Sequence, residues 1–313
     1  MAKESLPRLD GSTEIHEKLL PFCRVRPGEI WEDPRGLHRV GCIDAVSSRD
    51  TELLFGRERA DIMINDPPYN ISVGGKKTKA LSQTPINAYL EFSAAWVENA
   101  VSLLKENSHF YVWMGADQNN DFQPLPDFIL LMRNFPQLKS RSLLTLRNQR
   151  GYGTQHNWMA VRQELLYYTK GSPDFRVVYT DIPKILKGYY KTVNGRRTEN
   201  IERSRSDTIR PGNVWLDIQQ VFYRMQENVP GMFAQKPLKA IERILRSSGE
   251  ITLTGDLFSH SGTTLIAAEK QGTRCFTADI DPVFCELTIR RLEHFRATGK
   301  TGWQWQNPFP ELA

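Results

Sequence analysis

The last third of the chain alternates strand-like and helix-like segments, and this alternation restricts the fold more than any other feature of the sequence. EITLTGD (250–256) and RCFTADID (274–281) predict strands, while TTLIAAEKQG (263–272) and PVFCELTIRRLEHF (282–295) predict helices. Because strand–helix–strand crossovers are almost always right-handed, the two strands should lie side by side in a parallel sheet. The segment therefore predicts an α/β fold.

Similar segments occur earlier in the chain. ADIMIND is apolar on both faces, which is typical of a strand buried in a parallel sheet. The further predicted strands are 37–45, 60–66, 109–115, 143–149 and 164–171, and the further predicted helices are 86–107, 125–135 and 237–248. We therefore predict a Rossmann-like, mostly parallel, twisted sheet with helices on both faces.

The composition changes near residue 172. Between Ser172 and Gly212 the sequence has nine Lys/Arg and five Asp/Glu but few long apolar runs. The predicted units are an irregular N-terminal extension (1–37), a main domain (38–171 and 213–297), an insertion (172–212) and a C-terminal tail (298–313).

Composition excludes some classes of protein and leaves others open. The chain has 313 residues, of which 40% are hydrophobic, so it can form a packed core. A net charge of +5 permits a polyanionic partner without proving one. No apolar run approaches the ~20 residues of a membrane span, and the N-terminus lacks the apolar core of a signal peptide. We expect no membrane association.

Four cysteines are scattered along the chain without C-x-x-C spacing, at Cys23, Cys42, Cys275 and Cys285. Neither a disulfide framework nor a structural metal site is expected from this spacing. The pattern fits a reducing cytoplasm.

The stretch MINDPPYNIS (63–72) places two prolines at the end of a predicted strand. Prolines cannot continue a central strand, and the residues before them are restricted to extended geometry. The result is a stiff arm that carries Asp66 and Tyr69. The Asp66 carboxylate and the Pro67 carbonyl can accept both hydrogens of an exocyclic amine, and Tyr69 offers a face for a base. A rigid loop without a ligand is the alternative.

A second group of polar residues follows the strand that ends at Asp256. The turn after it is built of small residues, and a helix begins near Thr263, where free N–H groups can hold a ligand. About 20 residues later the next strand ends in Asp279, a position from which an acid reaches ribose hydroxyls. The turn is not G-x-G-x-x-G and has no P-loop lysine, which favours an adenosine compound without a long phosphate chain. Asp279 could instead cap a helix.

These motifs together carry a family resemblance. DPPYN (66–70), then QKP (235–237) and D-x-F-x-x-S-G-T-T (256–264), resemble the motifs of DNA amino-methyltransferases that use S-adenosylmethionine. Their order is similar to that of the β subgroup, and the resemblance extends over residues 28–295. It implies a circularly permuted methyltransferase fold, with 172–212 as its target-recognition region. It also implies methyl transfer to a base flipped out of the duplex.

The resemblance assigns roles to single residues. It identifies Asp66, Pro67, Pro68 and Tyr69 as the catalytic arm. The side chains implied to line the methionine part of the cofactor are Asp256, Phe258, Ser259, Ser261, Gly262 and Thr263, with Asp279 on the ribose and Lys236 near the cofactor carboxylate. Gln235 and Pro237 complete the QKP motif. Asp44 would contact the adenine ring, unless it only caps a turn.

The arm also indicates the target base. In the resembling family DPPY mostly accompanies N6 of adenine and SPPY N4 of cytosine, so Asp66 favours adenine. A cytosine-N4 enzyme, a catalytically silent DNA-binding homologue and an RNA or protein methyltransferase remain alternatives. The sequence departs from the family at His260, where glycine is usual, and at Ala234. We interpret His260 as an exposed residue of the turn.

Basic residues predict the contacts with double-stranded DNA. The candidates are Lys76, Lys77 and Lys79 after the arm, and Arg196, Arg197, Arg203, Arg205 and Arg210 in the insertion. A solvated basic face is the alternative for each of them. The resemblance adds a second copy of the chain and a cognate restriction endonuclease as candidate partners, and a bacterial or phage origin.

Overall fold

The computed structural model describes residues 9, 13–68, 86–115, 124–152, 156, 158–184, 190–199 and 206–312. The helices of this part are α1 (Thr13–Leu19), α2 (Ser48–Phe55), α3 (Ile86–Ser102), α4 (Pro124–Leu131), α5 (Leu238–Ser247), α6 (Thr263–Lys270) and α7 (Pro282–Thr298). The strands are β1 (Ile30–Glu32), β2 (His38–Cys42), β3 (Ala60–Asn65), β4 (Leu104–Met114), β5 (Leu138–Tyr152), β6 (Ala160–Lys170), β7 (Tyr190–Val193), β8 (Arg196–Glu199), β9 (Val214–Trp215), β10 (Leu253–Asp256) and β11 (Arg274–Asp279).

One mixed sheet organises the chain. Its nine strands have the order β1-β2-β11-β10-β3-β4-β6-β5-β9. The five strands from β2 to β4 in this order are parallel, whereas β6 runs antiparallel to both β4 and β5. The mostly parallel sheet predicted from the sequence is confirmed. The carboxyl ends of β10 and β3, distant in sequence, therefore lie side by side at one edge.

Apolar residues cover both faces of this sheet. In β3, Ile62 and Ile64 belong to one buried cluster and Met63 belongs to the other, as the alternation of side chains along a strand requires. The first cluster includes residues of α5, α6 and α7, and the second includes residues of α2, α3 and α4. Helices on both faces, as predicted, bury the central strands.

Several boundaries differ from the prediction. The helix expected over 86–107 ends at Ser102, and β4 begins at Leu104, because Leu104 pairs with Ala60 of β3. The region 1–37 is not wholly irregular, since it contains α1 and β1. A strand of three residues, such as β1, is too short to give a periodic signal, and its position depends on pairing with β2.

Two features that the sequence does not predict are also absent from the described residues. None of their helices combines the length and the apolar character needed to cross a membrane. Nor do three or more His, Cys, Asp or Glu residues cluster in this part of the chain as metal ligands would.

Candidate active site at the carboxyl edge of the sheet

The arm and the turn after β10 meet at this edge. β3 ends at Asn65, directly before Asp66, and Thr254 and Gly255 of β10 pair with its residues Ile62 and Met63. The fully buried Asn65 side chain accepts a hydrogen bond from the N–H of Leu257 at 3.2 Å. The beginning of the arm is thus fixed to the beginning of the turn. Tyr69 lies outside the described residues.

A glycine lies where β10 packs closely on side chains of β3 and α2. A Cβ added at Gly255 would lie 2.1 Å from Sδ of Met63 and 2.9 Å from the ring of Phe55. Any larger residue would have to displace these two side chains. Glycine therefore fits this close packing directly before Asp256.

An ion pair holds the arm carboxylate. Nζ of Lys236 lies 2.6 Å from Oδ2 of Asp66 and 5.4 Å from the ring centroid of Trp113. The Lys236 side chain is 7% exposed and that of Asp66 is 20% exposed, so the pair is largely shielded from water. The lysine of the QKP motif therefore contacts the predicted catalytic arm, a contact that sequence reasoning did not anticipate. Its predicted role at the cofactor carboxylate stays a prediction.

The turn between β10 and α6 closes on itself and on β11. The N–H of Ser259 donates to the carbonyl of Ala278 at 2.6 Å, and that of Gly262 donates to the carbonyl of Ser259 at 2.7 Å. Gly262 has a φ of 72°, and a Cβ there would lie 3.0 Å from the side chain of Thr288. Glycine fits both the left-handed conformation and the close contact with α7.

His260 differs from its sequence-based interpretation. It is half-buried, and its ring packs edge-to-face on Phe284 with centroids 5.4 Å apart. The prediction of an exposed turn histidine is therefore wrong. Its φ of 45° lies in the left-handed region, which explains why glycine suits this position and which costs a side-chain-bearing residue about 1 kcal/mol. The N–H of His260 donates to Oδ2 of Asp279 at 2.9 Å.

A buried arginine on α7, which the sequence prediction missed, donates hydrogen bonds to the turn. Arg291 of α7 is fully buried and donates to the carbonyl of Ser261 at 2.6 Å and to Oγ1 of Thr263 at 3.1 Å. Burial lowers the pKa of Arg291 to about 10, so it remains charged at neutral pH. The available signal was its position four residues after Leu287 and eight after Val283, which places a cation in an apolar stripe.

Two carboxyl groups lie at the ends of neighbouring strands. Burial raises the pKa of Asp256 to about 7, and the charges of Asp66 and Asp279 raise it as well. Burial likewise raises the pKa of Asp279 to about 7, although its side chain accepts hydrogen bonds from the N–H groups of His260 and Asp281. Carboxyl groups that oppose each other's ionisation favour a ligand that brings positive charge.

The raised pKa of Asp256 leads to a stability prediction. An unfolded aspartate titrates near ~3.9, so above about pH 7 the fold must hold a charge that burial disfavours, and this cost disappears below about pH 4. We expect Asp256→Asn to raise the melting temperature of the ligand-free protein by about 2–6 °C at pH 8. The gain should shrink as the pH falls through 7 towards 4. Thermal unfolding followed by circular dichroism across this range tests it, and a lower melting temperature at pH 8 would contradict it.

Other predicted cofactor residues make contacts within the chain. The amide of Gln235 donates to the carbonyl of Glu227 at 2.7 Å and accepts from the N–H of Val229 at 3.0 Å, so it holds a loop. Oδ1 of Asp44 accepts from the N–H of Val46 at 3.1 Å, which is a turn cap. These contacts account for both side chains without a ligand, and their cofactor roles stay predictions.

The remaining turn residues surround the same edge. Phe258 packs against Trp96 with ring centroids 5.3 Å apart. The hydroxyls of Ser261 and Thr263 lie 3.2 Å apart, and Oγ1 of Thr288 donates to Oγ of Ser259 at 3.4 Å. The structure therefore brings the predicted turn residues together between β10, β11 and α7.

Of the predicted DNA contacts, Arg196 and Arg197 lie on the exposed hairpin β7–β8, and Arg210 is an exposed residue outside regular structure. Lys76, Lys77, Lys79, Arg203 and Arg205 lie outside the described residues.

The sheet, the stiff arm and the carboxylate-lined turn define an α/β protein of the methyltransferase type. The DNA methylase family N6_N4_Mtase matches residues 60–290, well over half of the chain, and the chain belongs to this family. The match begins at β3 and ends within α7, so it includes both the arm and the turn.

Two individual methyltransferases are similar to the chain in sequence. The type II methyltransferase M.HpaI of Haemophilus parainfluenzae is 28% identical over 74% of this chain and 68% of its own length. The DNA adenine methyltransferase YhdJ of Escherichia coli K12 is 26% identical over 75% of this chain and 77% of its own length.

Solved structures show likeness in fold. The cytosine-N4-specific PvuII DNA methyltransferase aligns with a TM-score of 0.57 at 14% identity, covering 81% of this chain and 85% of its own. The M1.HpyAVI–SAM complex aligns with a TM-score of 0.50 at 12% identity, covering 82% of this chain and all of its own.

Proposed function

We propose that the chain transfers a methyl group from S-adenosyl-L-methionine to N6 of a flipped-out adenine in double-stranded DNA. The observation that carries the proposal is the position of Asp66, which is held by Lys236 at 2.6 Å beside the turn that begins at Leu257. Membership of the DNA methylase family supports the reaction class.

The residues at the sheet edge suit this cofactor. Asp279, half-buried at the end of β11, offers carboxylate oxygens to ribose hydroxyls. Asp256 and Asp66 interact electrostatically next to it, which favours the positively charged sulfonium over the neutral product. When bound, S-adenosyl-L-methionine supplies an electrophilic methyl group whose bonding electrons remain on sulfur. The similar M1.HpyAVI structure is a SAM complex.

The arm residues act on the target amine. The Asp66 carboxylate and the Pro67 carbonyl accept hydrogen bonds from the two amine hydrogens, so the nitrogen lone pair is directed towards the donor. As the N–C bond forms, the nitrogen becomes positively charged and releases one proton, which Asp66 can accept. Lys236 keeps the carboxylate in place while this happens.

Adenine is the proposed base because the arm reads DPPY and because the similar protein YhdJ is named as a DNA adenine methyltransferase. Cytosine N4 is the second candidate, since PvuII methyltransferase has a similar fold and is cytosine-N4-specific.

Product analysis tests the proposal and separates the candidates. Purified protein is incubated with unmethylated bacterial DNA and S-adenosyl-L-methionine, and the DNA is digested to nucleosides for mass spectrometry. We expect N6-methyldeoxyadenosine at a level set by the site frequency and no N4-methyldeoxycytidine. The reverse result would assign the cytosine reaction. If neither product forms and calorimetry detects no cofactor binding, the alternative of a catalytically silent DNA-binding homologue would be favoured.

A further inference from the structure

The hairpin β7–β8 is a two-stranded ribbon separate from the nine-stranded sheet. Tyr190 pairs with Glu199, Thr192 with Arg197 and Val193 with Arg196. Asn194 and Gly195 at its tip have φ values of 52° and 73°, the left-handed pair that matches the twist of a tight hairpin. Residues 192–198 are all exposed, so the ribbon projects into solvent.

The two adjacent arginines lie on opposite faces of this ribbon, because successive residues of a strand point to opposite sides. The guanidinium of Arg197 lies 4.3 Å from the ring centroid of Tyr190, on the face that also carries Thr192. Arg196 lies on the other face, directly across from Val193. Arg197 therefore has a partner within the hairpin, whereas the Arg196 face combines a cation with an exposed apolar side chain.

That combination suits the floor of the DNA major groove, which admits a two-stranded ribbon. Arginine can form two hydrogen bonds with a guanine edge, and an apolar side chain can contact a thymine methyl group. We propose that the hairpin enters the major groove of the target DNA with the face of Val193 and Arg196 towards the bases. Arg196 then determines sequence specificity, and Arg197 packs on the ring of Tyr190. The inference rests on the proposed DNA methyltransferase function.

The test compares two neighbouring residues of equal charge in the full chain. The recognition sequence is first read from DNA methylated by the wild-type protein. Binding of Arg196→Ala and Arg197→Ala is then measured on this site and on a duplex with the site scrambled. We expect Arg196→Ala to lower the ratio of target to scrambled affinity about tenfold. Arg197→Ala should change this ratio less than about twofold.

A third variant separates base reading from charge alone. Arg196→Lys keeps the charge but loses the planar fork that binds two acceptors, so it should lose discrimination while the salt dependence of binding stays that of the wild type. The inference would be overturned if the ratio of target to scrambled affinity fell equally in both alanine variants, or fell more in Arg197→Ala. It would also be overturned if Arg196→Lys kept the wild-type ratio. The proposed function would survive each of these results, because it is decided separately by which methylated nucleoside, if any, the wild-type protein produces in DNA.

Discussion

Asp66→Ala should lower the rate of methyl transfer by on the order of 10³-fold while S-adenosyl-L-methionine still binds. The variant removes the side-chain acceptor for the target amine and the base for its proton, and groups of this kind contribute roughly 10²- to 10⁴-fold. Single-turnover methylation of a duplex containing the recognition site gives the rate, and calorimetry gives the cofactor affinity. Activity within tenfold of the wild type would be incompatible with the proposed arm.

The structure calls for a second variant, because Asp66→Ala leaves the ammonium of Lys236 without the carboxylate it contacts at 2.6 Å. Removing one partner of a shielded ion pair lowers stability, and a misfolded protein would be inactive for the wrong reason. Asp66→Asn keeps the volume and one carbonyl acceptor, so it should lose less activity than alanine. The double variant Asp66→Ala/Lys236→Met removes the lysine charge as well, and it should be as inactive as Asp66→Ala but melt at a higher temperature.

Strong local patterns made part of this structure predictable. The strands ending at Asn65, Asp256 and Asp279 were predicted because buried parallel strands are short apolar runs bounded by turn residues. Right-handed crossovers then placed β10 beside β11, and the pairing confirms it. The general rule that ligands bind at the carboxyl ends of parallel strands assigns the arm and the turn to the same edge of the sheet, and the pairing of β3 with β10 makes them neighbours.

Contacts between distant residues were not predictable in this way. Lys236 and Asp66 are far apart in the chain, and their ion pair depends on where the start of α5 lies against β4. Sequence analysis did not identify Arg291, because a single cation in an apolar stripe resembles an irregularity of the pattern. The hydrogen bond from Arg291 to the carbonyl of Ser261, which only the structure shows, explains why a cation occupies this position.

The hairpin shows a further limit. Sequence reasoning grouped Arg196 and Arg197 as equivalent basic residues of the insertion. Which face each one occupies depends on the register of β7 against β8, and a shift of one residue would exchange their positions. A run of basic residues in a sequence indicates a surface that can bind a polyanion, but it does not identify which of these residues contact the bases.

Lys236→Met should distinguish the two roles proposed for the lysine of the QKP motif. If Lys236 positions Asp66, its loss lowers the saturated rate and changes the cofactor dissociation constant little. If Lys236 instead binds the cofactor carboxylate, the dissociation constant rises and the saturated rate is preserved. The ion pair at 2.6 Å favours the first outcome. Because Asp66 is 20% exposed, we expect a loss of about 2 kcal/mol in the free energy of unfolding, below the 3–5 kcal/mol of a fully buried pair.

Lys239→Met provides the matched control for this variant. Lys239 lies in the first turn of α5, three residues after Lys236. Its exposed ammonium is 3.0 Å from a carboxylate oxygen of Asp181 and 3.5 Å from one of Asp217, whose side chain is largely buried and also binds Arg243. Lys239 has no place at the proposed active site, and Asp217 keeps its arginine partner in the variant, so both the rate and the cofactor affinity should match the wild type. A rate loss of equal size in the two variants would mean that the total positive charge near the start of α5 matters, and the specific contact between Lys236 and the arm would then lose its proposed role.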